Sequence, residues 1–177
     1  EVKKADKFCE NYKKFLDDTK TEREAVIKSI EMAEKNGFVE FGKTKSLKPG
    51  DKVYYNNRGK AIILAVIGTE PLENGVRIAA AHIDSPRLDM KQCPIYEDNE
   101  LALFKTHYYG GIKKYQWTAI PLSLHGVIVK SDGSKVNVCI GEDEKDPVFC
   151  VTDLLPHLAT AQMERKAPQI IKGEELN

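Results

Sequence analysis

Along residues 5–18 the apolar positions Phe8, Tyr12, Phe15 and Leu16 recur at helical spacing among lysines and acids. That pattern predicts an amphipathic helix with a solvated charged face. Thr21-Glu22-Arg23-Glu24 comes next, with a hydroxyl and a carboxylate three residues apart, as two reciprocal caps at a helix start require. Val26, Ile27, Ile30 and Ala33 then predict one buried face, and Gly37 is placed to end the helix. Lys48-Pro49-Gly50-Asp51 reads as a turn, 52–55 as a strand, Asn56-Asn57-Arg58-Gly59 as a hairpin-like turn and 61–66 as a strand apolar on both sides. After a connection at 71–75, residues 76–81 read as a buried strand of small and branched residues that stops at His82. Helices followed by short, fully apolar strands predict a mixed, open α/β sheet with flanking helices and both faces covered.

The pattern changes past Pro86. Residues 88–91, 101–106, 118–130, 135–140 and 148–151 read as strands, with Asp132-Gly133 a hairpin turn. Helical periodicity returns only at 154–166. A boundary near Cys93 therefore separates an α/β unit, 1–92, from a β-rich unit, 93–177. The closing run Lys172-Gly173-Glu174-Glu175-Leu176-Asn177 reads as leading into a further element. The expectation is the N-terminal portion of a longer polypeptide.

Composition narrows the function classes. Twenty-seven basic and 27 acidic residues leave no net charge, so there is no electrostatic case for a nucleic-acid partner or an anionic membrane. No apolar run approaches the roughly 20 residues that cross a bilayer, and no signal peptide is visible. Cys9, Cys93, Cys139 and Cys150 are scattered without a Cys-x-x-Cys pair, which suits reduced thiols and a cytoplasmic location.

His82-Ile83-Asp84-Ser85-Pro86 carries the candidate chemistry. A histidine at a strand end with a carboxylate two positions on fits a metal ligand, the carboxylate orienting the ring through its non-ligating nitrogen. By itself it is read more simply as a histidine that caps a strand and bonds to a turn, since one ligand does not make a site.

Two longer segments decide between these. Ala80-Ala81-His82-Ile83-Asp84-Ser85-Pro86-Arg87-Leu88-Asp89 is one, and Phe104-Lys105-Thr106-His107-Tyr108-Tyr109-Gly110-Gly111-Ile112-Lys113-Lys114-Tyr115-Gln116-Trp117 is the other. With Val151-Thr152-Asp153-Leu154-Leu155-Pro156-His157-Leu158, they resemble the N-terminal part of the aspartyl aminopeptidase / aminopeptidase I family of dinuclear zinc exopeptidases, its bacterial branch in particular. The resemblance implies an α/β catalytic domain, of which 1–92 is a part, interrupted by a β-rich inserted dimerisation domain, of which 93–177 is a part. It implies two Zn²⁺ ions per complete site, with Mn²⁺ or Co²⁺ as alternatives, peptide substrates, and self-association as dimers and dodecamers.

By the same resemblance His82 matches a zinc ligand and Asp84 the catalytic carboxylate that orients it. His157 matches a histidine that reaches a neighbouring subunit's substrate. His107 and Trp117 fall in a structural and interface segment in which Gly110-Gly111 allows positive φ or close backbone approach, and His125 reads as a satisfied core or interface residue. Glu174-Glu175 does not match the family's catalytic Glu-Glu pair, which follows a metal-bridging aspartate further downstream. One histidine cannot retain zinc usefully, so these 177 residues alone are expected to be inactive. A non-catalytic assembly module on the same scaffold is the alternative reading, and a related deacylase a weaker one.

Overall fold

The computed structural model describes residues 1–43 and 46–177. They fall into two compact units, Glu1–Ser85 and Pro86–Asn177.

The first unit opens with α1, Val2–Asp17, none of whose residues is buried. A short link containing Thr19, whose hydroxyl donates to the Phe15 carbonyl, leads to α2, Glu22–Lys35. The expected capping box is formed. The Glu24 N–H donates to the Thr21 hydroxyl oxygen at 3.3 Å, and the Glu24 carboxylate accepts from the Thr21 N–H at 2.9 Å. Gly37 ends the helix at φ 82°, a left-handed conformation that glycine adopts without steric cost. Replacing Thr21 by alanine should cost about 1 kcal/mol. Amide exchange at Glu24 and Ala25 checks this, with a roughly five-fold acceleration expected in the first turn and little change for Thr21→Ser.

Three strands complete this unit: β1 (Val39–Glu40), β2 (Lys52–Asn57) and β3 (Ala61–Val66). β1 pairs with β2 in parallel and β2 with β3 antiparallel, so the sheet is mixed, as expected. The β2–β3 turn places Arg58 and Gly59 at positive φ, and the Asn56 side chain accepts the Gly59 N–H at 2.7 Å. α2 packs on β2 and β3, burying Ala25, Val26 and Ala33 with Val53 and Tyr54. The Tyr54 hydroxyl donates to Glu34 at 2.8 Å, tying strand to helix. Ile27, expected on the buried face, is exposed.

Two expectations for this unit fail. Tyr55 and Ile63, opposite each other in register, stay at least half exposed, so one face of the sheet is uncovered. Residues 76–81 form no strand, and Val76 and Ile78 are exposed. A segment apolar on both sides is stable as a strand only between paired neighbours and under covering layers. Among the described residues no strand pairs with it.

The second unit is built from two ribbons. β4 (Arg87–Asp98) and β5 (Leu101–Tyr109) pair antiparallel, with a register shift between Met90 and Ile95 where Cys93 takes φ 50°. β4 is therefore much longer than the expected 88–91 and runs through the Cys93 region. Gly110, after β5, has φ 80°, and a Cβ there would stand 3.5 Å from the Pro86 Cα, so both uses foreseen for a glycine occur at once. β6 (Leu124–Val129) and β7 (Lys135–Ile140) form the second hairpin, turning at Asp132-Gly133. Residues 118–123 and 148–151, expected to be strand, contribute only the isolated bridges Thr118–Val151 and Leu122–Phe149. The expected helix over 154–166 shrinks to α3, Thr160–Met163. Pro156 cannot donate a backbone hydrogen bond, and it disfavours helical geometry at the residue before it. Val151, Ile171 and Leu176 are the buried centre of the unit, with Leu88, Ile112, Trp117, Leu122 and Ile170 packed around them.

Candidate functional site

His82 lies in the irregular segment between β3 and β4, not at a strand end. Its ring folds back over the residue two positions on. Nδ1 is 3.1 Å from Asp84 Oδ1 and 3.0 Å from the Asp84 carbonyl oxygen. Both neighbours are acceptors, so Nδ1 carries the proton and donates, which leaves the Nε2 lone pair for a ligand. The side chain is 83 % exposed, so that lone pair is accessible. A metal-binding imidazole needs this tautomer and this kind of carboxylate support. The pair therefore fits the role of one metal ligand and its orienting carboxylate. Among the described residues no three His, Cys, Asp or Glu side chains gather closely enough to hold an ion.

His157 stands in the second unit on a loop, 152–158, whose seven residues are all exposed between buried Val151 and Ala159. The turn is shaped by the Leu158 N–H donating to the Leu155 carbonyl at 2.8 Å. Leu154, Leu155 and Leu158 flank the histidine at 54 %, 60 % and 63 % exposure. The loop therefore offers three exposed leucines and one exposed histidine within five residues.

The other candidates have local partners. His107 faces the Tyr108 carbonyl through Nδ1 at 3.1 Å. His125, with its side chain only 10 % exposed, has Nε2 2.8 Å from Glu142 Oε1 and 3.1 Å from Ser123 Oγ. Ser123 and Glu142 were not foreseen as its partners. A serine, a histidine and a glutamate together suggest a nucleophilic triad, but the geometry excludes one. A single ring nitrogen faces both groups, and the Ser123 hydroxyl donates straight to Glu142 at 2.7 Å, so no base separates nucleophile from acid.

Glu174 pairs with Lys91 at 2.6 Å, and that ammonium holds its carboxyl below the usual range. Burial pushes Glu175 up, but the Lys172 N–H and the Arg165 guanidinium outweigh it and keep it low. A general base works best with a pKa near the working pH, so both glutamates are better suited to holding the fold. No helix among the described residues is long and apolar enough to cross a membrane. None of Cys9, Cys93, Cys139 and Cys150 forms a disulfide.

Comparison with known proteins decides the family. Residues 15–176 match the family model described as aminopeptidase I zinc metalloprotease (M18). The chain belongs to the M18 family. A probable M18 family aminopeptidase 1 of Clostridium acetobutylicum is 58% identical over 172 residues, covering 95% of this chain and 37% of that protein. The corresponding Thermotoga maritima protein is 44% identical over 169 residues, 96% of this chain and 37% of its own length. A crystal structure of an M18-family aminopeptidase from Thermotoga maritima superposes with a TM-score of 0.90 at 43% identity, over 99% of this chain and 38% of that one. The aminopeptidase I structure from Clostridium acetobutylicum gives 0.82 at 54% identity, over 93% of this chain and 37% of that one. This M18 chain thus spans a little over a third of the length of the curated relatives it matches.

Proposed function

We propose that the protein to which this chain belongs is a zinc-dependent aminopeptidase that releases N-terminal amino acids from peptides in the cytoplasm. In this reading residues 1–92 are part of the catalytic domain and 93–177 part of an inserted dimerisation domain. His82 is a ligand of one of two zinc ions and Asp84 its catalytic carboxylate. His157 serves the substrate site of a neighbouring subunit in a dimer, six of which make a dodecamer. The observation that carries the proposal is the His82–Asp84 contact, a preset tautomer on the matching motif of a zinc metalloprotease family.

When bound, zinc supplies Lewis acidity that polarises the scissile carbonyl and makes a nucleophile available at neutral pH. Asp84 accepts the Nδ1 proton of His82, which fixes the ring and the tautomer that turns Nε2 towards a metal. In this reading His157, on an exposed loop with Leu154, Leu155 and Leu158, supplies an N–H donor where oxyanion charge develops in the neighbouring site.

The test uses the full-length protein and a panel of short peptides. Dialysis against a chelator should abolish hydrolysis, and Zn²⁺, Mn²⁺ or Co²⁺ should restore it. Peptides acetylated at the N-terminus should resist cleavage. Activity indifferent to the chelator, or equal on acetylated peptides, would sink the proposal.

A further inference from the structure

We infer that Asp153 is a positioning residue for His157, its side chain joining the two sides of the exposed loop and so fixing where the imidazole stands. This rests on the reading of His157 given above.

Asp153 lies two residues after Val151, which sits in the buried centre of the second unit. Across the loop, Gln162 on α3 is one of the few buried polar residues. Its Nε2 donates to Asp153 Oδ1 at 3.0 Å, nine residues back along the chain. The same oxygen accepts the Leu154 N–H at 2.8 Å, and Oδ2 accepts the Thr118 hydroxyl at 3.4 Å. Thr118 is itself bridged to Val151. One carboxylate thus connects the start of the loop, the helix that follows it and the segment beneath.

A buried amide N–H without an acceptor is costly, so Gln162 enforces the contact from its side. The Gln162 amide, the Leu154 N–H and the Thr118 hydroxyl all favour the ionised form and hold Asp153 below the usual carboxylate range. The acceptor therefore persists through neutral pH. Seven exposed residues anchored only at Val151 and Ala159 would sample many conformers, most of them placing the imidazole wrongly. A misplacement of about 1 Å at a catalytic contact costs up to about 100-fold in rate.

Both short bonds end on Oδ1, so asparagine can keep them while alanine cannot. The test compares Asp153→Ala, Asp153→Asn, His157→Ala and the double variant Asp153→Ala/His157→Ala in the full-length oligomer. Asp153→Ala should lower kcat by about 10- to 100-fold with KM little changed, and Asp153→Asn should stay near the parent. The double variant should be no worse than His157→Ala alone, because Asp153 acts through His157. Should Asp153→Ala fail to fold, Gln162→Met removes the same donor at similar volume and is expected to behave alike. Losses that multiply in the double variant, or an unchanged kcat in both Asp153→Ala and Gln162→Met, overturn the inference while leaving His157 in place. A His157→Ala enzyme with parental activity overturns the reading of His157 and this inference together, and that single variant reports it on its own.

Discussion

Replacing His82 by alanine in the full-length protein should cost more than about 100-fold in kcat/KM and about one equivalent of bound zinc, whereas Asp84→Asn should cost about 10- to 100-fold. The asymmetry follows from what each residue does. His82 offers Nε2 to the metal, and nothing in an alanine replaces a lone pair. Asp84 touches only the far nitrogen, at 3.1 Å through Oδ1 and 3.0 Å through its own carbonyl. In Asp84→Asn the carbonyl still accepts the Nδ1 proton, so the tautomer survives but the charge that makes the imidazole a stronger donor to zinc is lost. Because the His82 side chain is 83 % exposed, its removal should leave the fold and the assembly intact. Elemental analysis, peptide kinetics and circular dichroism on the same preparations separate a metal defect from a folding defect. A His82→Ala protein that keeps its zinc and its activity would remove His82 from the site.

What could be recognised along the chain divides by the range of the forces involved. The Thr21–Glu24 capping box, the Asn56–Gly59 turn and the Asp132-Gly133 hairpin depend on neighbours within a few residues, and each forms as expected. Strands 61–66 and 135–140 each follow directly on a local turn, and both have the expected bounds. Residues 76–81 have the composition of a buried strand, but burial is supplied by other elements, and among the described residues none pairs with them. In 154–166 the apolar spacing suggested a helix face, while Pro156 and the Asp153–Gln162 contact favour a loop closed onto a short helix.

The same division runs through the candidate site. The His82 and Asp84 pair is two residues long and visible as a motif. Gln162 as the partner of Asp153, and Ser123 and Glu142 as partners of His125, are products of loop closure and strand register that no local pattern announces.

The second large effect concerns the buried centre beneath the His157 loop. Leu176 is 0% exposed and shares its cluster with Val151 and Ile171. Its truncation to alanine should destabilise the second unit by about 2–5 kcal/mol, since lost burial and an unfilled cavity add. Hydrogen bonds compound the effect, because the Leu176 carbonyl accepts the Thr106 hydroxyl and Asn177 Oδ1 accepts the Thr106 N–H at 3.1 Å. Amide exchange gives the local readout. The Ala119 N–H donates to the Val151 carbonyl at 2.8 Å and the Leu122 N–H to the Phe149 carbonyl at 2.7 Å, and both should exchange roughly 30-fold faster or more in Leu176→Ala. Leu176→Met keeps the volume and should cost less than about 1.5 kcal/mol. Unchanged exchange at Ala119 and Leu122 in the alanine variant would mean that the cluster does not hold this unit together. Val151 is also the residue from which the His157 loop departs, so Leu176→Ala should lower kcat as well, through a site it does not touch.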